Sequence, residues 1–138
     1  MESGLFLFWN SLVVNKTNPT INAIKKIPNA KKDKKAFLEV KSVSLSRKEG
    51  HAEFPDSVTS RGKKHLESLM SANKQGYESY LLFLIQIEKC KSFSIASDID
   101  PEYYKVFKNA LKKNVKVLCY DCKFSNKGIE INNKINFF

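Results

Sequence analysis

Hydrophobic and polar residues alternate along residues 36–45, and this alternation predicts a β-strand. Successive side chains of a strand point to opposite faces of its sheet. Glu39 and Lys41 should therefore share one face with Phe37 and Val43. The strand carries two opposite charges side by side on a face that is otherwise apolar.

A helical pattern follows this strand and should stop at Gln75 and Gly76. We expect Asp56 or Ser57 to cap its first turn, because both side chains accept hydrogen bonds from free backbone N–H groups. Gly62 lies inside the pattern, where glycine is unfavourable, so we expect it to permit a close approach to the sheet. The predicted buried stripe is Val58, Gly62, Leu66, Leu69 and Asn73.

A second helix is predicted from Asp100, Pro101 and Glu102, which supply a cap, a proline at the first position and an acidic first turn. Its predicted core face is Tyr103, Phe107, Ala110 and Leu111. Between the two helices, residues 77–87 are almost continuously apolar, which is typical of a strand buried on both faces. We interpret the residues between that strand and the second helix as a polar loop.

Two further strands are predicted at residues 115–125 and 128–137, around a turn that includes Gly128. The order of elements is then strand, helix, strand, helix, strand, strand. This order is typical of a three-layer α/β domain, with a central mixed sheet flanked by helices.

The charge of the chain favours a polyanionic partner. With 138 residues and 42% hydrophobic residues, the chain suits one folded domain. Its formal net charge of +10 predicts binding to nucleic acid first and to an anionic membrane surface second. A biased base usage in the genome would also enrich lysine, so the charge alone leaves that alternative open. Six lysines within residues 25–35 predict an exposed arm.

The cysteines and the first residues predict neither a disulfide framework nor a membrane segment. Three cysteines are an odd number, and Cys119 and Cys122 lie in a predicted strand, where residues three apart point to opposite faces. We therefore expect structural cysteines rather than a zinc site. Residues 1–14 are apolar but lack a basic start and are too short to span a bilayer, so we expect a cytoplasmic protein.

Glu39 and Lys41 are the residues with the most chemical interest. A carboxylate is a ligand that Mg²⁺ prefers, and a neighbouring ammonium can stabilise the charge that develops on a phosphate. Together they could assist the cleavage of a phosphodiester bond. The same spacing also arises in ordinary surface ion pairs, which contribute little to stability.

Three stretches resemble one family: FLEVKSVSL at 37–45, FPDSVTSRGKKHL at 54–66, and residues 91–131. The chain is similar there to the sugar fermentation stimulation (SfsA) family. The resemblance implies a restriction-endonuclease-like, PD-(D/E)XK nuclease-like fold and an association with DNA. It also implies that Glu39 and Lys41 are the catalytic pair. Asp56 would join Glu39 in holding Mg²⁺, if a metal is bound. The cleft would further contain Arg61, Lys64 and His65.

The chain departs from that family in two ways. The upstream segment that normally supplies a second metal-binding carboxylate does not occur, and Asp33 is the acid nearest to Glu39 on that side. No stretch of the 138 residues resembles the OB-like domain that precedes the nuclease-like domain in that family, so we expect that domain to be absent. We therefore predict a remnant interdomain segment and lysine-rich linker at 1–35, and a nuclease-like domain at 36–138.

Three classes of function follow, in order of preference. The first is a DNA-binding protein without sequence preference, linked to sugar metabolism only through the family name. Its predicted nucleic-acid contacts are Arg61, Lys63, Lys64, His65, Lys31, Lys32, Lys34 and Lys35. The second is a Mg²⁺-dependent nuclease, against which the missing carboxylate counts. The third is a truncated, non-catalytic remnant. The oligomeric state stays open.

Overall fold

The computed structural model describes residues 7–8 and 36–137. The chain forms nine strands and two helices within these residues. In chain order these are β1 Leu7–Phe8, β2 Ala36–Val43, β3 Leu45–Lys48, β4 His51–Phe54, α1 Ser60–Lys74, β5 Glu78–Ile85, β6 Ser92–Ile95, α2 Pro101–Lys112, β7 Lys116–Ser125, β8 Gly128–Lys134 and β9 Asn136–Phe137.

The strands form two sheets. The larger sheet has the order β1-β2-β5-β7-β8, in which β2, β5 and β7 are parallel and the two edge strands are antiparallel to their neighbours. This arrangement confirms the predicted α/β class with a mixed sheet. A second sheet has the order β3-β4-β6-β9 and was not predicted. Its strand β6 lies within the segment that the sequence analysis treated as a polar loop, so that prediction was wrong.

The central strand β5 is buried on both faces, as predicted. On one face, Leu81, Phe83 and Ile85 pack in a cluster that contains the buried residues of both helices. On the other face, Leu82 and Leu84 belong to a second apolar cluster. This double burial explains the continuous apolar run, because a strand covered on both faces cannot alternate with polar residues.

Helix α1 begins later than predicted. Its N-cap is Thr59, whose Oγ1 accepts a hydrogen bond from the backbone N–H of Gly62 at 2.9 Å. The prediction that Asp56 or Ser57 caps the helix was therefore wrong. Val58, predicted on the buried stripe, precedes the helix and is 70% exposed. The predicted end is confirmed, because Lys74 is the last helical residue and Gln75 the C-cap.

Gly62 permits a close approach, but to the N-cap side chain and the second helix rather than to the sheet. A Cβ atom at this position would lie 2.8 Å from Thr59 Cγ2 and 3.1 Å from Tyr103 Cε2. These separations are shorter than ordinary van der Waals contacts. The neighbours that require the glycine are thus the N-cap Thr59 of the same helix and Tyr103 of α2, and the predicted contact with the sheet was wrong.

The start of α2 is confirmed. Asp100 is its N-cap, Pro101 is its first residue and Glu102 supplies the acidic first turn. Leu111 is 38% exposed, so its place on the core face was wrong. The two helices pack against each other. Near their C-terminal ends, Asn73 Nδ2 donates a hydrogen bond to the carbonyl of Lys113 at 3.1 Å.

The cysteines are structural, as expected. All three are free and buried, and Cys119 and Cys122 lie in the apolar clusters on opposite faces of the larger sheet. Burial raises the pKa of the Cys119 thiol to about 12 and that of the Cys122 thiol to about 11. No helix within the described ranges is long and apolar enough to cross a membrane.

Candidate functional site

Glu39 and Lys41 lie side by side on β2, on the face that packs under the helices. Parallel pairing with β5 places Glu39 beside Leu81 and Lys41 beside Phe83. The Lys41 Nζ atom is 3.1 Å from Glu39 Oε1. The two side chains are 2% and 0% exposed, respectively, so this is a buried ion pair and not the surface pair considered as an alternative.

Helix α1 places His65 directly on this ion pair. His65 Nδ1 is 2.6 Å from Glu39 Oε1 and 3.0 Å from Lys41 Nζ. The residue is only 9% exposed, and the adjacent Leu66 is buried in the core. His65 was predicted as a nucleic-acid contact, and that role stays a prediction. The structure instead brings the ring against the buried carboxylate.

The imidazole contacts three charged side chains. Its Nδ1 atom lies near both the Glu39 carboxylate, which can only accept a hydrogen bond, and the Lys41 ammonium, which can only donate one. On the other side of the ring, Arg61 Nε lies 3.5 Å from His65 Nε2 and can only donate. The ring therefore bridges the buried ion pair and the exposed guanidinium.

The described residues do not fit a Mg²⁺ site by themselves. Glu39 Oε2 is buried and has no hydrogen-bond partner within residues 36–137. The other oxygen, Oε1, also has no partner with hydrogen-bond geometry in this part of the chain, but it makes both ion-pair contacts of the cluster. Asp56, the other predicted ligand, is exposed. In this part of the chain, no three His, Cys, Asp or Glu side chains are grouped to hold a metal ion. Asp33 lies outside the described residues.

The predicted cationic residues occupy the first turns of α1. Arg61 and Lys64 are exposed, and Lys63 is half-buried. The ion pairs formed between described residues involve neither Arg61 nor Lys64. The first turn of α1 contains no acidic residue. The predicted lysine contacts Lys31, Lys32, Lys34 and Lys35 lie outside the described residues.

Sequence reasoning missed a second charged cluster, on the smaller sheet. Arg47 donates to both carboxylate oxygens of Glu53, at 2.7 and 2.8 Å, and to both of Asp98, at 2.6 and 2.9 Å. Hydrogen bonds from Arg47 lower the pKa of Asp98 to about 2. The only signal for this cluster was an excess of charge around residue 47, because Asp98 lies 51 residues further along the chain.

These features define a mixed α/β domain with a buried carboxylate, lysine and histidine cluster beside an exposed cationic helix end. The family model described as "Sugar fermentation stimulation protein RE domain" matches residues 25–128. The chain therefore belongs to the sugar fermentation stimulation (SfsA) family, as its sequence resemblance predicted.

Relatives in several bacteria support this assignment. The sugar fermentation stimulation protein homolog of Pelagibacter ubique is 54% identical over 105 residues, which cover 76% of this chain and 45% of the relative. The homolog of Bdellovibrio bacteriovorus is 38% identical over 136 residues, which cover 96% of this chain and 56% of the relative. The chain spans about half the length of the curated relatives it matches.

A solved structure, that of Pyrococcus furiosus SfsA in complex with Ca²⁺, has a similar fold. Its TM-score is 0.69, and the match covers 75% of this chain and 45% of that chain. The sequence identity is 23%, so this likeness supports the fold alone. The predicted division at residue 36 stays a prediction.

Proposed function

We propose that this domain binds double-stranded DNA through the phosphate backbone, without strong sequence preference. Arg61, Lys63 and Lys64 at the start of α1 would make the contacts. The proposal concerns this domain, because the chain covers only about half of its relatives. A link to sugar metabolism stays a prediction drawn from the family name.

The proposal rests on a difference between cationic side chains: some are paired with carboxylates of the protein, and Arg61 and Lys64 are not. Arg47 is held by two carboxylates, and Lys116 Nζ lies 3.1 Å from Glu78 Oε1. Arg61 and Lys64 are exposed, and neither pairs with an acid among residues 36–137. A cation already paired within the protein must exchange that partner to bind a phosphate. Arg61 and Lys64 can release counterions from DNA without such an exchange.

The position on the helix adds to the attraction. The N-terminus of an α-helix carries a partial positive charge, which favours phosphate. The first turn of α1 contains no acidic residue, and the buried Asp100 carboxylate, which accepts from the N–H of the N-cap Thr59, offsets only part of this charge. The basic residues and the helix dipole therefore act in the same direction.

The aromatic residues favour contact with the backbone over stacking on bases. The largest fully buried side chains include Tyr103, Phe83 and Phe93, which pack in the core. Proteins that bind single strands without sequence preference usually stack bases on exposed aromatic rings. Phe124 and Tyr77 are the large aromatic residues exposed within the described part of the chain. Phe124 lies on β7 and Tyr77 on the loop before β5, so they do not form one stacking surface along a single element.

The test is a binding titration with a labelled duplex of about 30 base pairs, at about 50 and 200 mM salt. We expect wild-type affinity to fall steeply with salt. The Arg61→Ala/Lys64→Ala variant should reduce the slope of log K against log salt by about 2, since each phosphate contact contributes about 1. Lys91→Ala removes an exposed cation on the loop before β6 and is the control.

Each outcome of this titration is informative. If the Lys91→Ala control lost about half as much slope as the double variant, net charge alone would explain binding and the site on α1 would be wrong. If the wild-type protein bound no duplex even at low salt, the proposal would fail. The third class of function, a remnant without this activity, would then be favoured.

The buried Glu39–Lys41 pair favours a second candidate function, Mg²⁺-dependent cleavage of DNA. The described residues do not complete a metal site, so we derive no catalytic step from them. The same assay with added Mg²⁺ tests this candidate. Cleavage by the wild-type protein that is lost in Glu39→Gln would support a nuclease, and an intact duplex in both would count against it.

A further inference from the structure

We infer that His65 is a positioning residue, which orients Arg61 for phosphate and does not itself contact nucleic acid. This inference deepens the proposed function and rests on it. It assigns a purpose to the buried Glu39–Lys41 pair that requires neither metal nor catalysis. The chain of contacts runs from the buried carboxylate through the imidazole to an exposed guanidinium.

The inner end of this series of contacts, at Glu39 and His65, is rigid. His65 Nδ1 lies 2.6 Å from Glu39 Oε1, and Glu39 is fully buried on the interior strand β2. The ring is itself buried, and its neighbour Leu66 on α1 is fixed in the core. A buried side chain with a short contact to a charged group has one orientation, because any other orientation would leave that charge without its partner.

The outer end of this series of contacts is Arg61, whose side chain is exposed. The imidazole directs Nε2 away from Glu39 and toward Arg61, whose Nε lies 3.5 Å away. Arg61 precedes His65 by one helical turn, the spacing at which side chains on a helix meet. A contact through Nε leaves both terminal nitrogens of the guanidinium for the paired contacts that arginine makes with phosphate.

Lys64 provides an internal comparison. It is exposed, as Arg61 is, but its ammonium takes part in none of the ion pairs among the described residues, and only its backbone carbonyl is bonded, to Ser68 Oγ. A flexible side chain loses rotamer freedom when it binds phosphate, and a partly ordered one loses less. The arrangement therefore favours Arg61 as the more specific of the two contacts, and Lys64 as a mobile point charge.

Two substitutions of His65 separate its two contacts. In His65→Asn the amide nitrogen lies near the position of Nδ1, so it can still donate to Glu39 but cannot reach Arg61. In His65→Gln the amide lies near the position of Nε2, so its oxygen can still accept from Arg61. If His65 served only to satisfy Glu39, the Asn variant would bind DNA at least as well as the Gln variant.

We expect the opposite order. At fixed salt, His65→Asn should weaken DNA binding and His65→Gln should keep most of the wild-type affinity, whereas Arg61→Ala, which removes the charge itself, should also lower the salt slope by about 1. Combining His65→Asn with Arg61→Ala should weaken binding no further than Arg61→Ala alone, because His65 acts through Arg61. Equal binding by the Asn and Gln variants, or additive losses in the double variant, would overturn the inference. The melting temperature of each variant is measured alongside.

A spectroscopic measurement tests the same inference without DNA. The Arg61 Nε–H group should give a resolved NMR signal in the wild-type protein and in His65→Gln. The signal should be averaged with those of free arginines in His65→Asn. An unchanged Arg61 signal in a folded His65→Asn variant would overturn the positioning role. If the wild-type protein bound no duplex while this spectral pattern held, the proposed function would fail and the contact between His65 and Arg61 would stand.

Discussion

Asp100 and Thr59 connect the beginnings of the two helices. The backbone N–H of Thr59, the N-cap of α1, donates to Asp100 Oδ2 at 2.9 Å. The other oxygen, Oδ1, accepts from the backbone N–H of Tyr103 at 2.8 Å and so caps α2. Asp100 is 2% exposed. One buried carboxylate therefore fixes two helix starts that lie 41 residues apart in sequence.

We expect Asp100→Ala to lower the free energy of unfolding by about 2 to 4 kcal/mol, because it removes a helix cap and leaves a buried N–H group without a partner. Urea denaturation measures this loss. The matched control is Asp98→Ala, which removes an exposed carboxylate two residues away. It should cost less than about 1 kcal/mol, as exposed ion pairs usually do. Equal losses in the two variants would contradict this role of Asp100.

The stability should also depend on pH through Asp100. Burial acts to raise its pKa, but the hydrogen bonds from Thr59 and Tyr103 and the charge of Lys63 outweigh it, and the net pKa is lowered. A lowered pKa in the folded protein stabilises the fold above the unfolded pKa of about 4. This contribution is lost as the pH falls through the folded pKa. Denaturation midpoints measured from pH 6 downwards should fall less steeply in Asp100→Asn than in the wild type.

Removing only one partner of the buried Glu39–Lys41 pair should lower the free energy of unfolding. Lys41→Met leaves the Glu39 carboxylate buried without its cation, and we expect a loss of about 3 to 5 kcal/mol in the free energy of unfolding. The double variant Glu39→Gln/Lys41→Met removes both charges and should recover part of that loss. Urea denaturation of the three proteins measures both effects. A double variant less stable than the single one would show that the pairing is not the cause.

Gly62→Ala tests the close contact between the helices. Alanine is favoured over glycine inside a helix by about 1 kcal/mol, so an isolated α1 would be stabilised. The added Cβ would meet Thr59 and Tyr103 at the distances given above, and overpacking of this kind costs about 1 to 3 kcal/mol. We therefore expect net destabilisation by thermal denaturation. Ser68→Ala, on an exposed position of the same helix, should stay within about 0.5 kcal/mol of wild type.

The elements that could be predicted are those with local signals. A continuous apolar run indicates the strand β5, and a capping residue, a proline and an acidic first turn indicate the start of α2. The start of α1 was misplaced because Asp56, Ser57 and Thr59 are all suitable caps. The bond from Thr59 to the distant Asp100 distinguishes the true one. Strand β6 is four residues long, and its pairing with β4 and β9 depends on the tertiary fold.

The candidate site also has one part that local sequence patterns predict and another part that depends on the tertiary fold. The shared face of Glu39 and Lys41 follows from the period of a strand, so it could be predicted. The contact of His65 with that pair depends on how α1 lies across β2, which no local pattern encodes. For the same reason, the sequence could not show that Arg47 is held by acids whereas Arg61 is not.

The two helices are joined at both ends, through Asp100 and Thr59 at their beginnings and through Asn73 and Lys113 at their C-terminal ends. Neither helix can loosen without breaking bonds to the other, so their backbone amides should exchange with deuterium as one cooperative unit. The first turns of α1, which contain Arg61 and Lys64, then open only when the whole helical layer opens, and not as a fraying helix end would. A duplex would meet a surface that is already ordered before contact.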